Sequence, residues 1–226
     1  MKLGRIRKLF LTNTMIIQQQ SSKRVMYKAL IFDLGNVIFQ YTFETMFEIW
    51  ARLYNVPIDK IRKQFKLDDM FEKFERGDIS PNQFRTHIST ELGFELTEHN
   101  FELGWNAIYL DKVNGIDQLL IELKKDYSLV ALTNTNVIHS KIWPHKYSTT
   151  LQHFENVFSS CEHRARKPEP KAFEIVLSYL NVAPDQTIFL DDNMKYVETA
   201  KKIGMQAICV VSFEQMLIDL KKLNVI

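Results

Sequence analysis

Four groups of polar residues in this chain have the types and spacing to do chemistry. Asp33-Leu34-Gly35-Asn36 follows the apolar run Ala29-Leu30-Ile31-Phe32, and Thr133-Asn134-Thr135-Asn136 follows Leu129-Val130-Ala131-Leu132. Asp191-Asp192-Asn193 follows Ile188-Phe189-Leu190, and Arg166-Lys167-Pro168-Glu169-Pro170 leads into a helical stretch. The three strand-end groups offer three carboxylates, hydroxyls and amides and the fourth adds a lysine, a donor set suited to a hard cation and a phosphate. Taken singly, each group is ordinary. An aspartate after a strand serves a turn, Asp-Asp-Asn serves as a helix N-cap, and Lys-Pro-Glu-Pro is a common helix lead-in. Their order, on the matching ends of separate elements, sets them apart.

The apolar runs that carry them are continuous instead of alternating, the pattern of a parallel sheet covered on both faces. Ala207-Ile208-Cys209-Val210-Val211 is another such run, and Val157-Phe158-Ser159 a further short one. Between them the spacing predicts amphipathic helices over about Gly115 to Lys125, Pro170 to Leu180, Met194 to Ile203 and Phe213 to Leu223. Strand–helix alternation of this kind implies an α/β fold, a doubly wound and mostly parallel sheet with right-handed crossovers. Ligands of such sheets bind outside the carboxyl ends of the strands, so the polar groups should converge on one crevice. Pro168 biases Lys167 towards extended backbone and Pro170 suits a helix start, which puts Lys167 on a fixed lead-in. Residues 42–109 break the alternation: they read as helix throughout, with Ser80-Pro81 as a strong helix start. That is far more than a crossover needs, and it is expected to form an inserted α-helical cap between two parts of a core, 27–41 and 110–226. Phe43, Phe47, Trp50, Phe71, Phe74 and Phe84 at helical spacing read as core of that cap.

Charge and composition narrow the partners. The 226 residues carry a formal charge of +2, but seven of the 29 basic residues precede Asp33 and no acidic residue does. The chain from Ala29 onward therefore sets 22 basic against 27 acidic residues, a charge of about −5. A nucleic-acid partner is not expected on such a body. No apolar stretch approaches the length of a membrane-spanning helix, so no membrane partner is expected. Residues 1–26 are expected to be a disordered or mis-started extension: Thr12-Asn13-Thr14 interrupts a short apolar run that lacks a signal-peptide cleavage site. Two cysteines, Cys161 and Cys209, make no disulfide framework, which fits a cytoplasmic location.

Four segments together resemble the haloacid dehalogenase-like (HAD) hydrolase superfamily: LIFDLGNVI (Leu30 to Ile38), ALTNT (Ala131 to Thr135), RKPEPKAF (Arg166 to Phe173) and IFLDDN (Ile188 to Asn193). The resemblance runs from about Tyr27 to the C-terminus, the helical cap included. It implies a magnesium-dependent phosphatase in which Asp33 is the nucleophile and takes the phosphoryl group as an aspartyl-phosphate. Mg²⁺ would be held by Asp33, the Gly35 carbonyl and Asp192, with Asp191 beside it or bound through water. Thr133 and the amide groups of Asn134 would hold phosphoryl oxygens, and Lys167 would neutralise charge on nucleophile and phosphate. In the cap, Trp105 and Asn106 are the expected contacts to the rest of a small phosphorylated metabolite; oligomeric state is not legible.

One departure matters more than these matches. The superfamily's phosphatases usually carry a second aspartate two residues after the nucleophile as general acid and base, and here that position is Gly35. General acid–base help contributes on the order of 10²–10⁴-fold. Its loss points to esters with better leaving groups such as sugar 1-phosphates, to a substitute donor among His139, His145 and Tyr109, or to slow turnover. DLGNV, with Phe74 to Ser80, Gly104-Trp105-Asn106 and Trp143 to Tyr147, is similar to bacterial glucose-1-phosphate phosphatases of the superfamily, which favours the first. Two alternatives stand beside it: a 2-haloacid dehalogenase, and a non-enzymatic phospho-acceptor module.

Overall fold

The computed structural model describes residues 26–226; the expected N-terminal extension lies outside the described residues up to Val25. A parallel five-stranded sheet forms the centre, built from β1 (Ala29–Phe32), β4 (Ser128–Thr133), β5 (Asn156–Ser159), β6 (Thr187–Asp191) and β7 (Gln206–Cys209), in the order β5-β4-β1-β6-β7. Each continuous apolar run is a strand with both faces covered; every residue of β1 and β6 is buried. The chain winds outward from β1 through β4 to β5, then returns to the other side of β1 for β6 and β7. That reversal puts β1 between β4 and β6, with Phe32 in register with Ala131 on one side and Leu190 on the other. Asp33, Thr133 and Asp191 thus emerge side by side at one end of the sheet.

A second element pair was not legible in the sequence. β2 (Phe39–Tyr41) and β3 (Tyr109–Lys112) form an antiparallel ribbon that joins the entry and exit of the helical insertion. Three and four residues are too few to show alternation, and only Phe39 among them is fully buried. Tyr109, expected to be the last residue of the insertion, is therefore a strand residue.

Between the ribbon strands lie α1 (Glu44–Tyr54), α2 (Ile58–Gln64), α3 (Asp69–Arg76), α4 (Pro81–Leu92) and α5 (Glu98–Trp105). The starts of α3, α4 and α5 follow from side chains that accept otherwise orphaned amides: Asp68 from Phe71, Ser80 from Gln83 and Thr97 from Asn100. Ser80 and Gln83 complete a capping box, with Pro81 in the first turn. The insertion has its own core, in which Trp50, Phe74, Phe84, Phe101 and Trp105 are buried. Gly104 lets α5 cross α1 closely, since a Cβ there would sit 2.2 Å from Trp50 Nε1. The remaining helices are α6 (Ile116–Leu123), the one-turn α7 (Trp143–Lys146), α8 (Ser148–Leu151) and α9 (Ser160–His163), then α10 (Pro170–Leu180), α11 (Met194–Ile203) and α12 (Phe213–Lys222). α6 and α12 pack on one face of the sheet, α10 and α11 on the other. No helix among the described residues is long and apolar enough to cross a membrane.

Candidate active site

The carboxyl ends of β1, β4 and β6 form the floor of a cavity of about 690 Å³. Its far wall comes from the insertion and its ribbon: Tyr41, Phe43, Leu67, Phe71, Glu72 and Glu75. Its size falls within the roughly 300–1,000 Å³ of small-molecule sites.

Lys167 is the most tightly held group on the floor. Its Nζ donates to Asp33 Oδ1 and to Asp191 Oδ2, each at 2.6 Å, and the side chain is buried. Its backbone is clamped by Asn134, whose Oδ1 accepts from Lys167 N at 2.8 Å and whose Nδ2 donates to Lys167 O at 2.9 Å. The side-chain amide of Asn134, expected at a phosphoryl group, is thus engaged with the Lys167 backbone at both its oxygen and its nitrogen. Thr133, which ends β4, is buried at the cavity lining.

Asp33, Asp191 and Asp192 bring carboxylate oxygens within 4.8 Å of one another. Asp191 also accepts from Asn193 N at 2.8 Å, and Asp192 from Asn36 Nδ2 at 2.9 Å. With all three ionised, the carboxylates against one ammonium leave a surplus of two negative charges. Burial raises the pKa values of Asp33 and Asp191, and Lys167 offsets this only in part. Burial works against the charge on Lys167 as well, but Asp191 and Asp33 outweigh it and hold its pKa above the usual lysine value. All-oxygen donors with a deficit of two positive charges fit a hard divalent cation. Gly35 lines the cavity beside them; a Cβ there would lie 2.7 Å from Tyr41 Cε1, so the Tyr41 ring takes the space a side chain would need.

The other sequence-derived candidates are divided between the cavity and positions away from it. Trp105 is fully buried in the insertion, stacked on His139 with ring centres 4.9 Å apart, and donates to Asn136 Oδ1. Asn106 lies at a separate shallow depression with His99 and Ala107. Neither lines the cavity. His139 does line it, yet both its nitrogens are engaged: Nε2 with the Trp105 carbonyl at 2.8 Å, Nδ1 with Asn136 Nδ2 at 3.0 Å. The carbonyl can only accept, so the proton sits on Nε2. Burial pushes the imidazole down to about 4 although that carbonyl bond opposes it, so it is neutral at pH 7. His145 is exposed on α7. Tyr109 reaches the lining, but burial raises its pKa and makes it a poor proton source.

The residues missed by sequence reasoning are at the seam between insertion and sheet. Arg166 donates from Nε and Nη2 to Glu75 Oε2 at 3.0 and 2.8 Å, and its Nη1 lies 3.1 Å from Glu72. Arg76 donates to Glu169 at 2.8 Å in the opposite sense. Ser160 Oγ accepts from Thr135 N and donates to the Glu75 carbonyl. At the end of α3, Gly77 has φ +76° and would place a Cβ 2.8 Å from the Cys161 carbonyl, so this docking needs glycine twice over. The sequence signals were Phe-Glu-Arg-Gly just before a helix start and the Arg166–Pro170 lead-in, neither of which shows its partner.

Comparison with known proteins bears on the family and the fold. Residues 27–204 match a family described as haloacid dehalogenase-like hydrolase. A D-ribitol-5-phosphate phosphatase of Bacteroides thetaiotaomicron is 24% identical over 190 residues, covering 80% of this chain and 90% of that protein. A sesquiterpene phosphatase of Aspergillus oryzae is 27% identical over 183 residues, covering 79% and 87%. Among solved structures, a HAD-family enzyme of Bacteroides thetaiotaomicron in complex with magnesium and inorganic phosphate superposes with a TM-score of 0.70. It is 29% identical, covering 83% of this chain and 96% of that one.

Proposed function

This chain belongs to the haloacid dehalogenase-like hydrolases, and on that premise we propose that it is a magnesium-dependent phosphatase of small phosphorylated metabolites, sugar 1-phosphates among them, acting through an aspartyl-phosphate on Asp33. The observation that carries this reading is Lys167 bridging Asp33 and Asp191 on the floor of the cavity, with Asp192 completing an acidic trio. Two relatives are named as phosphatases, one for D-ribitol 5-phosphate.

A carboxylate attacks phosphorus only when the repulsion between two anions is cancelled. Lys167 supplies part of that cancellation and keeps the Asp33 oxygen aimed at the cavity. Asp33, Asp192 and the Gly35 carbonyl would hold Mg²⁺, directly or through water beside Asp191, and the ion would supply the remaining positive charge. The Thr133 hydroxyl and the backbone amides of the loop after β4 would hold the phosphoryl oxygens. Catalysis of this kind rests on positioning and electrostatics. The helical insertion acts as a cap whose wall excludes water and meets the non-phosphate end of the substrate.

A dehalogenase reading is weakened by the acidic trio, which would repel a haloacid's carboxylate without a compensating cation. A phospho-acceptor reading is weakened because Asp33 lies on the floor of a cavity and is only 8% exposed.

The test is a panel of phosphorylated sugars, polyols and nucleotides with and without Mg²⁺. Hydrolysis is expected with the metal, abolished by EDTA, and reduced on the order of 10³-fold or more in Asp33→Asn. Absence of hydrolysis across the panel, or full activity of Asp33→Asn, overturns the reading.

A further inference from the structure

We propose that Glu75 of α3 supplies the proton to the leaving group, taking the role left open by Gly35; this rests on the phosphatase reading above. In an in-line displacement the leaving oxygen departs on the side opposite Asp33, which is the side closed by the insertion. A donor must therefore hang from the wall of the cavity, not from its floor. Among the acidic residues on that wall, Glu75 is buried and lines the cavity. Its Oε2 is pinned by two bonds from Arg166, while Oε1 has no hydrogen-bond partner among the described residues. The other wall carboxylate, Glu72, is 44% exposed and faces water.

The charged and titratable groups facing Glu75 are Arg166, Glu72 and Lys167, together with the Tyr41, Tyr109 and Tyr196 hydroxyls around the cavity. Burial raises Glu75 to about 7 against the pull of Arg166, so a substantial fraction carries a proton at neutral pH. Other candidates fail on geometry or on proton supply. His139 has both nitrogens engaged, His145 is exposed, and Tyr41 and Tyr109 have pKa values raised by burial. Tyr41 also accounts for the vacancy at position 35, because its ring covers the glycine.

The step balances as follows. An Asp33 oxygen bonds to phosphorus as the ester P–O bond breaks, and the departing oxygen keeps the electron pair and takes the proton from Glu75. The Glu75 carboxylate then takes a proton from water as the water oxygen bonds to phosphorus. The P–O bond to Asp33 breaks, phosphate leaves, and both carboxyl groups return to their starting states. An ester whose leaving group is stable as an anion does not need the first transfer, and that sets the test.

The magnesium-loaded full chain and its Glu75→Gln variant are assayed on 4-nitrophenyl phosphate and on the alkyl phosphate that the wild type hydrolyses fastest. Glu75→Gln is expected to lower kcat on the alkyl ester by on the order of 10²–10⁴-fold and on the aryl ester by less than about tenfold. A second measurement needs no turnover: the carboxyl ¹³C shift of Glu75 in metal-free protein should titrate near neutral pH. An equal fall on both esters, an effect confined to KM, or a Glu75 carboxyl titrating in the ordinary range overturns the proposal. So does a wild type that hydrolyses only the aryl ester, which would leave the phosphatase reading standing. Hydrolysis of neither ester would remove the phosphatase reading itself.

Discussion

Replacing Lys167 by methionine isolates the central electrostatic claim. Methionine keeps much of the length of the side chain but removes the one ammonium that Asp33 and Asp191 share. At an effective dielectric of about 20, unit charges about 4 Å apart attract by about 4 kcal/mol. Lys167 makes two such contacts, so the gross loss is about 8 kcal/mol. Desolvation of the ammonium offsets several kcal/mol of that. Removing one partner of a buried pair costs about 3–5 kcal/mol, and we expect that range here. For a chain of this size it corresponds to a fall in Tm of roughly 6–20 °C. The charge surplus rises from two to three, so Mg²⁺ should stabilise the variant more than the wild type, with saturation at 100 Kd contributing about 2.7 kcal/mol in the simplest case. Thermal melts by circular dichroism in EDTA and in Mg²⁺ read both effects, and Asp191→Asn in the Lys167→Met background should recover part of the loss. A variant melting within about 2 °C of wild type in EDTA, or gaining no more from Mg²⁺, would refute the charge accounting.

Two further outcomes follow from specific contacts. Asn134→Ala leaves the buried amide and carbonyl of Lys167 without partners, costing about 1–3 kcal/mol, and should lower kcat while changing KM little. A raised KM with unchanged kcat would instead make Asn134 a substrate contact. His139 has a folded pKa of about 4, below the unfolded value of about 6.5. Between these values the unfolded chain binds the proton and the folded one does not. Its contribution, about 3 kcal/mol, is therefore present above about pH 6.5 and lost as pH falls towards 4. Urea titrations across that window should show a shallower pH dependence for His139→Gln than for wild type; identical slopes would sink the assignment.

The sheet and the polar floor were legible because both are written locally. A strand covered on both faces must be continuously apolar, and the carboxyl ends of such strands are where polar side chains collect, so Asp33, Thr133, Asp191 and Asp192 could be found one by one. The helices α10 and α11 were also readable to the residue, since Pro170 and Asn193 mark their starts and Asn181 and Gly204 their ends. The ribbon of β2 and β3 was not, because three or four half-exposed residues carry no period. Trp105 stood out as a large aromatic beside Asn106 and invited a binding role. It is core, packed inside the insertion against Phe84, Phe101 and His139.

The sequence by itself determined the class of fold, the presence of a helical insertion, the family, and the acidic and cationic groups of the floor. Tertiary structure alone decided how those groups are used. That Asn134 clamps Lys167, that Tyr41 covers Gly35, and that Arg166 pins Glu75 at the cavity wall are facts about partners far apart in the chain. Glu75 and Arg166 are separated by 91 residues, and Asp33 and Lys167 by 134. Local pattern records which residues are buried and with what period; it does not record which buried group meets which. That depends on β1 lying between β4 and β6 and on α3 docking against the loop that carries Lys167.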